Sequence, residues 1–454
     1  MKKMFLSLLM LALVGSASAQ LTPEEKAAQK EAKTQLSNGI KLRDEVLLLY
    51  NTNQAEAKKG EKSNDALIIK NQNSIREKSI ASLDALQKAF ATGFVPEKQL
   101  FDAAKALDDV STQLLNPELA LAANKQTFDT LTFAKSVDGV SQGCYGQLEY
   151  YNPKVEAQKV SYEAAKLKMP KLKTYYGYLC YFYVESKNLD GAVSAYDKYI
   201  GFSEKYPKVA DEPEVKNPQT PASQFAFNIY YTAFNLKRYD ICDKFYEKAL
   251  EFPDEQSHNF VVSSRPQMYL QQGDTANWVK SMEELILSAP NSPNAEVATQ
   301  NLLAHFSKQG SETMGAFAEK LLAKDPNNKM ANYGKGYSLF SSEKYTEALE
   351  YFKKSVEADP NFVEGYNMCG TSLYRQASVN YFKQIDGKKF SNATTLANAE
   401  EKYVKSLYRE AATYFEACRE KAPEDSDLWA GPLQTIYKNL GEKAKAAEME
   451  QYVK

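Results

Sequence analysis

Apolar and polar positions between Lys329 and Phe362 follow the period of a helix, not of a strand. Met330 to Phe340 carries apolar residues at helical spacing, Ser341-Ser342-Glu343-Lys344 is polar, and Tyr345 to Ala358 resumes the pattern. Two amphipathic helices joined by a short turn are predicted. Asp359-Pro360-Asn361 closes the second, because proline lacks the amide hydrogen and its ring disfavours helix in the residue before it. A new helical pattern opens at Val363. Gly336 and Gly370 lie 34 residues apart, as do Pro326 and Pro360. A glycine inside a helix costs about 1 kcal/mol relative to alanine, so its recurrence calls for a packing reason. Close approach of two helices, with a ring from the partner filling the adjacent space, supplies one.

These residues resemble the tetratricopeptide repeat family: Gly336, Leu339, Ala348, Phe352 and Pro360 match in one unit, and Tyr366, Gly370 and Leu373 repeat the first helix in the next. Earlier, Tyr176, Leu179, Cys180 and Tyr183 match a first helix, with Ala192, Tyr196 and Tyr199 in the second. Cys242, Tyr246 and Ala249 follow after a proline-rich polar insertion at 208–222. Two degenerate units end at Pro290 and Pro326, with Trp278, Met282 and Leu285 in one second helix and Met314, Ala318 and Leu321 in the other. A cryptic unit ends at Pro170, with Gly146 lying 34 residues before Cys180. In the last full unit the first helix runs on through Tyr374 and Tyr381, and an insertion at Asp386 to Ala397 precedes Ala411, Phe415, Cys418 and Pro423. Residues 428–454, with Trp429 and Tyr437 facing inward and a polar outer face, read as a terminal cap. The resemblance implies an all-α fold, an α-solenoid of tetratricopeptide-like helix pairs over residues 136–454.

Residues 20–135 are helical but outside that register. Thr22-Pro23-Glu24-Glu25 is a helix start with a hydroxyl cap, a proline in the first turn and a glutamate three places on. The polar link at 51–64 leads to a second helix carrying Ile75, Ile80, Leu83, Leu86 and Phe90 at helical spacing. An antiparallel N-terminal helical hairpin is expected. Before it, Lys2 and Lys3, the apolar run Phe5 to Val14 and Ala17-Ser18-Ala19 have the layout of a secretory signal peptide at 1–19. No cysteine follows the cleavage site, so a lipid anchor is not expected. Export to a periplasm or to the exterior, without a membrane span, is the expectation.

Composition narrows the chemistry. Across 454 residues the net charge is -2 and the charged fraction 25%, a balance with no general attraction for phosphate backbones, so no nucleic-acid partner is expected. The five cysteines, Cys144, Cys180, Cys242, Cys369 and Cys418, are odd in number and widely spaced, and three of them occupy small-residue places of repeat units. They are expected to act as buried apolar fillers and to form no disulfide. His258 and His305 are the two histidines, each isolated, and phosphate loops, nucleophile elbows and zinc-binding spacings are absent. No catalytic residue, metal ligand or cofactor is expected.

In relatives of the repeat family the first helices line a concave groove that contacts peptides or partner segments. Carried over position by position, the resemblance implies a groove made by Tyr181, then Phe227, Tyr231, Phe234 and Asn235, then Tyr333, Tyr337 and Phe340, and finally Asn367, Tyr374 and Arg375. Such an aromatic surface suits a protein or peptide partner carrying apolar side chains. The expected function is a non-catalytic exported scaffold or adaptor in cell-envelope assembly or transport. A glycan-binding surface protein of helical-repeat type is the alternative, opposed by the burial expected of Trp278 and Trp429. An enzyme built on a helical platform ranks third, for want of any catalytic constellation.

Overall fold

A computed structural model describes residues 21–124, 127–288 and 293–453. The signal-peptide assignment at 1–19 and Pro290 fall outside the described residues. Helices and turns make up the fold, with no strand among the described residues. Packing divides the chain into two units, 1–261 and 262–454.

The first unit contains α1 (Pro23–Ala57), α2 (Asp65–Ala91), α3 (Glu97–Ala123), α4 (Thr130–Tyr150), α5 (Glu156–Lys168), α6 (Leu172–Glu185), α7 (Leu189–Ile200), α8 (Ala222–Asn235) and α9 (Tyr239–Leu250). Helix α10 (Glu255–Gln272) straddles the division. The second unit follows with α11 (Thr275–Ser288), α12 (Pro293–Ser307), α13 (Ser311–Leu322), α14 (Lys329–Ser341), α15 (Tyr345–Ala358) and α16 (Val363–Gln384). It ends with α17 (Ala393–Glu400), α18 (Ser406–Lys421), α19 (Ala430–Leu440) and α20 (Lys443–Glu450). Within each unit consecutive helices pair and stack as an α-solenoid.

The hairpin of α1 and α2 forms as expected, and Thr22 and Glu25 make the reciprocal capping box. One boundary moves. Helix α1 continues to Ala57, through residues that sequence reasoning assigns to the link, because those polar side chains close the hairpin tip. Asn53 Nδ2 donates to the Ile68 carbonyl at 3.1 Å, Asn71 Nδ2 donates to Asn53 Oδ1 at 2.8 Å, and Glu56 Oε1 accepts the Asn64 amide at 2.8 Å. Polar groups paired in this way carry little burial penalty.

Helix α4 crosses α3 closely on small residues. A Cβ at Gly143 would meet the Asp108 amide nitrogen at 2.5 Å and the Ala104 carbonyl oxygen at 2.7 Å, and one at Gly146 would meet Ala104 Cβ at 2.7 Å. The sequence register makes Gly146 the counterpart of Cys180, 34 residues earlier, in a unit ending at Pro170. In the structure its crossing partner is the preceding helix, α3. Arg76 of α2 adds a polar brace by donating to buried Glu118 of α3 and, at 3.1 Å, to Asp129 at the start of α4.

The repeat shows itself in the turns between paired helices. Lys187, Lys237, Gly273, Glu343 and Gly441 all have left-handed backbones, with φ of 60°, 58°, 71°, 60° and 78°. At each, the next residue's amide returns to the carbonyl five places back: Asn188 to Tyr183, Arg238 to Ala233, Asp274 to Tyr269, Lys344 to Leu339 and Glu442 to Tyr437. This closure satisfies end carbonyls of the first helix and reverses the chain. Recurrence at Gly273 marks a degenerate unit that side-chain pattern alone defines poorly.

Packing between the paired helices follows the expected logic. A Cβ at Gly336 would lie 2.7 Å from the Phe352 ring, and one at Gly370 would lie 2.8 Å from the Phe415 ring. Phe352 and Phe415 are both fully buried. Cys180 and Cys242 stand at the corresponding crossings of the first unit, their thiols facing the Ala192 and Tyr230 carbonyl oxygens at 3.9 Å. All five cysteines are free and buried, and burial pushes the Cys242, Cys369 and Cys418 thiols up to about 12. The insertion at 208–222 folds back onto the first unit: Val209 and Val215 are buried, and Lys173 Nζ donates to the Val215 carbonyl at 2.6 Å. Trp429 is buried beneath the cap, its indole nitrogen donating to the Ala422 carbonyl at 3.1 Å.

Candidate partner-binding surface

The first helices of the pairs position the candidate residues. On α6, Tyr176, Leu179 and Cys180 turn inward, which leaves Tyr178 and Tyr181 on the outside, each 47% exposed. Tyr181 Oη donates to the Glu185 carboxylate at 2.6 Å, a bond that raises the phenol's pKa. Helix α8 packs beside α6, where a Cβ at Gly177 would meet the Phe225 ring at 2.8 Å. Ile229 and Tyr230 of α8 are buried, so helical spacing brings Phe227, Tyr231 and Phe234 onto one stripe. All three approach Phe260 of α10, at ring separations of 6.4, 5.0 and 5.6 Å. Phe227 also stacks on Phe252 at 5.8 Å. Tyr231 remains 46% exposed at the top of this cluster, and Asn235 is exposed at the helix end.

In the second unit the expected residues divide. Tyr333 packs against Phe352 and Phe362 at 5.6 and 5.2 Å, and burial pushes its phenol up to about 12. Phe340 rests on Tyr345 at 5.1 Å and Tyr374 on Tyr408 at 5.6 Å. Asn367 Nδ2 donates to the Leu428 carbonyl at 2.6 Å, tying α16 to the cap. Tyr337, 44% exposed, and Arg375, also exposed, keep outward-facing groups. The expected set therefore contains an exposed subset, Tyr181, Tyr231, Asn235, Tyr337 and Arg375, and a half-buried subset engaged in packing. Sequence reasoning missed two contributors, Tyr178 and Phe260. Tyr178 was legible from helical spacing within α6, whereas nothing in the pattern of the degenerate unit singles out Phe260.

No group of three or more acidic, histidine or cysteine side chains among the described residues could hold a metal ion. No described helix is long and apolar enough to cross a membrane. The geometry offers rings, amides and hydroxyls on helix faces, the equipment of a contact surface.

A family model of the tetratricopeptide repeat matches residues 315–361, which take in α14, α15 and the Gly336–Phe352 crossing. This segment of the chain is a tetratricopeptide repeat. Among solved structures, the C-terminal part of a TPR repeat-containing protein from Cytophaga hutchinsonii is 14% identical, with 61% of this chain and 93% of that one covered and a TM-score of 0.33. A circular tandem repeat protein with novel repeat topology is 12% identical, covering 93% of this chain and 95% of the other at a TM-score of 0.20. Scores this low add nothing to the helix pairs already described. No curated protein matches the sequence. Tetratricopeptide repeats generally mediate protein interactions, and the exposed rings of α6 and α8 lie on the first helices of their pairs.

Proposed function

We propose that this tetratricopeptide repeat protein is a non-catalytic, exported scaffold or adaptor that holds a protein or peptide partner on the exposed faces of its first helices. One observation carries the reading: α6 and α8 expose Tyr178, Tyr181 and Tyr231 by nearly half, although the crossings beneath them are already filled by buried side chains. Large rings left over after packing are available for contact. Micromolar affinity needs about 8 kcal/mol, so several rings must be covered together. The rings of each unit then form a patch of their own, with Tyr337 and Arg375 serving the second unit.

Crosslinking in intact cells with wild-type protein and with a Tyr181→Ala/Tyr231→Ala variant tests this reading. The wild type is expected to capture a defined protein partner, and the variant to lose that adduct while keeping its helicity. Equal capture by both removes the surface from the account. Export rests on the layout of residues 1–19. Mass spectrometry of the mature protein is expected to give a chain beginning at Gln20, and an intact Met1 in the cytoplasmic fraction would contradict it.

A further inference from the structure

Helix α16 is too long for its repeat. It has 22 residues against 14 in α6 and in α8, and at roughly 1.5 Å per residue the extra length carries it about 12 Å past the pair. The chain returns through α17, which continues by a π-helical turn, Glu401–Lys405, into α18. The extension of α16, the insertion at 386–397 and this returning arm make a two-helix finger outside the repeat register. Its interior is filled. Ile385 and Val404 are buried, Phe390, Leu396 and Tyr403 pack against the core of the pair, and Asn380 Nδ2 donates to the Tyr403 carbonyl at 3.0 Å.

Two rings are left over. In the last turn of α16, Tyr381 and Phe382 meet edge to face at 5.7 Å and stay 41% and 68% exposed. Lysines accompany them. Lys383 lies in the same turn, Lys388 and Lys389 follow the left-handed Gly387, and Lys402 stands on the returning arm, all four exposed. None of the four makes an ion pair among the described residues. The glutamates of the finger are occupied, Glu400 by Lys405 at 3.0 Å and Glu401 by Arg409, so Asp386 alone is left to offset the four lysines among the described residues of the finger. A chain whose net charge is -2 thus carries a positive tip with exposed rings.

We infer that this finger docks the protein on an anionic lipid surface. Rings and lysines share one tip, so its partner must offer negative charge and apolar depth together, as a layer of lipid phosphates over acyl chains does. Phe382 enters the acyl boundary, Tyr381 sits at headgroup level, and the lysine ammoniums reach the phosphates while their stems lie along the interface. The contact is peripheral and needs no membrane span. It lies on the part of the chain that departs from the repeat, so it does not depend on the partner-binding surface of α6 and α8.

The test is co-sedimentation of the full-length protein with vesicles of phosphatidylcholine and phosphatidylglycerol, mixed about two to one. Binding to these is expected, and vesicles of phosphatidylcholine alone, or the mixed vesicles at high salt, are expected to bind at least about tenfold more weakly. Tyr381→Ala/Phe382→Ala is expected to weaken binding about tenfold. Lys383→Gln/Lys388→Gln/Lys389→Gln is expected to weaken it at least about tenfold. Lys26→Gln/Lys30→Gln/Lys33→Gln, which removes the same charge from exposed positions of α1, is expected to change nothing. Circular dichroism confirms that each variant keeps its helicity. The inference is overturned if the mixed vesicles do not bind, if poly-glutamate binds and vesicles do not, if the α1 variant loses as much as the finger variants, or if the finger variants bind as wild type does. Tyr181→Ala/Tyr231→Ala is expected to bind vesicles normally. Loss of vesicle binding in that variant would place the contact on α6 and α8 and overturn the inference, whereas its loss of a crosslinked partner bears on the proposed function alone.

Discussion

Phe352→Ala is expected to destabilise the second unit by about 3–5 kcal/mol. The ring is fully buried and lies over Gly336, where a Cβ would come within 2.7 Å of it. It also touches Tyr333 at 5.6 Å. Truncation leaves a cavity that helices α14 and α15 cannot close, since their separation is fixed by the crossing and by the turn at Glu343. Urea unfolding followed by circular dichroism measures the effect. A loss below about 1 kcal/mol would mean that the crossing is plastic.

Gly143→Ala is the second large effect. The new methyl would meet backbone atoms, the Asp108 nitrogen at 2.5 Å and the Ala104 oxygen at 2.7 Å, so no side-chain rotation relieves the clash. Helices α3 and α4 have to separate, at a cost of about 1–3 kcal/mol or more. Separation also disturbs Asp108, which accepts from Lys168 Nζ at 2.7 Å and Gln147 Nε2 at 3.2 Å. Gly431→Ala is the control. A Cβ there meets nothing within 4 Å, so its effect is expected to be neutral or slightly stabilising. Thermal unfolding of the two variants beside the wild type decides the comparison, and equal melting temperatures would contradict it.

The elements most legible in the sequence are those in which one local rule decides the outcome. Helix α15 begins and ends where the apolar period and Pro360 place it, at Tyr345 and Ala358. The Thr22 capping box forms from residues within one turn of each other. Glycine spacing was informative for Gly336 and Gly370, whose fillers, Phe352 and Phe415, lie on the second helix of each pair. At Gly146 it left the partner open, because a small residue records that something comes close without recording which helix it is. The extension of α1 to Ala57 was illegible for a related reason. Asn53 and Glu56 look like linker residues until Asn71 and Asn64 are brought opposite them.

The candidate surface was legible in outline. Repeat position identified the outward faces of α6 and α8, but it could not separate a ring left exposed from a ring spent on a neighbour. Tyr333 and Tyr337 differ by one helical turn, yet Phe362 covers one and leaves the other open. Asn367 reads as a groove amide, and its use depends on a carbonyl that lies 61 residues away, at Leu428. Phe260 required the fold itself, since α10 brings it among Phe227, Tyr231 and Phe234 only after the chain has turned at Phe252.

The claim on which the functional reading depends is that the outer rings of α6 and α8 are surplus to folding. The urea midpoint of the Tyr181→Ala/Tyr231→Ala variant tests it most directly. The account predicts a change within about 1 kcal/mol of wild type, as for exposed positions, with the far-ultraviolet spectrum unchanged. A loss as large as that of Phe352→Ala would show that these tyrosines hold the repeats together and would contradict the account.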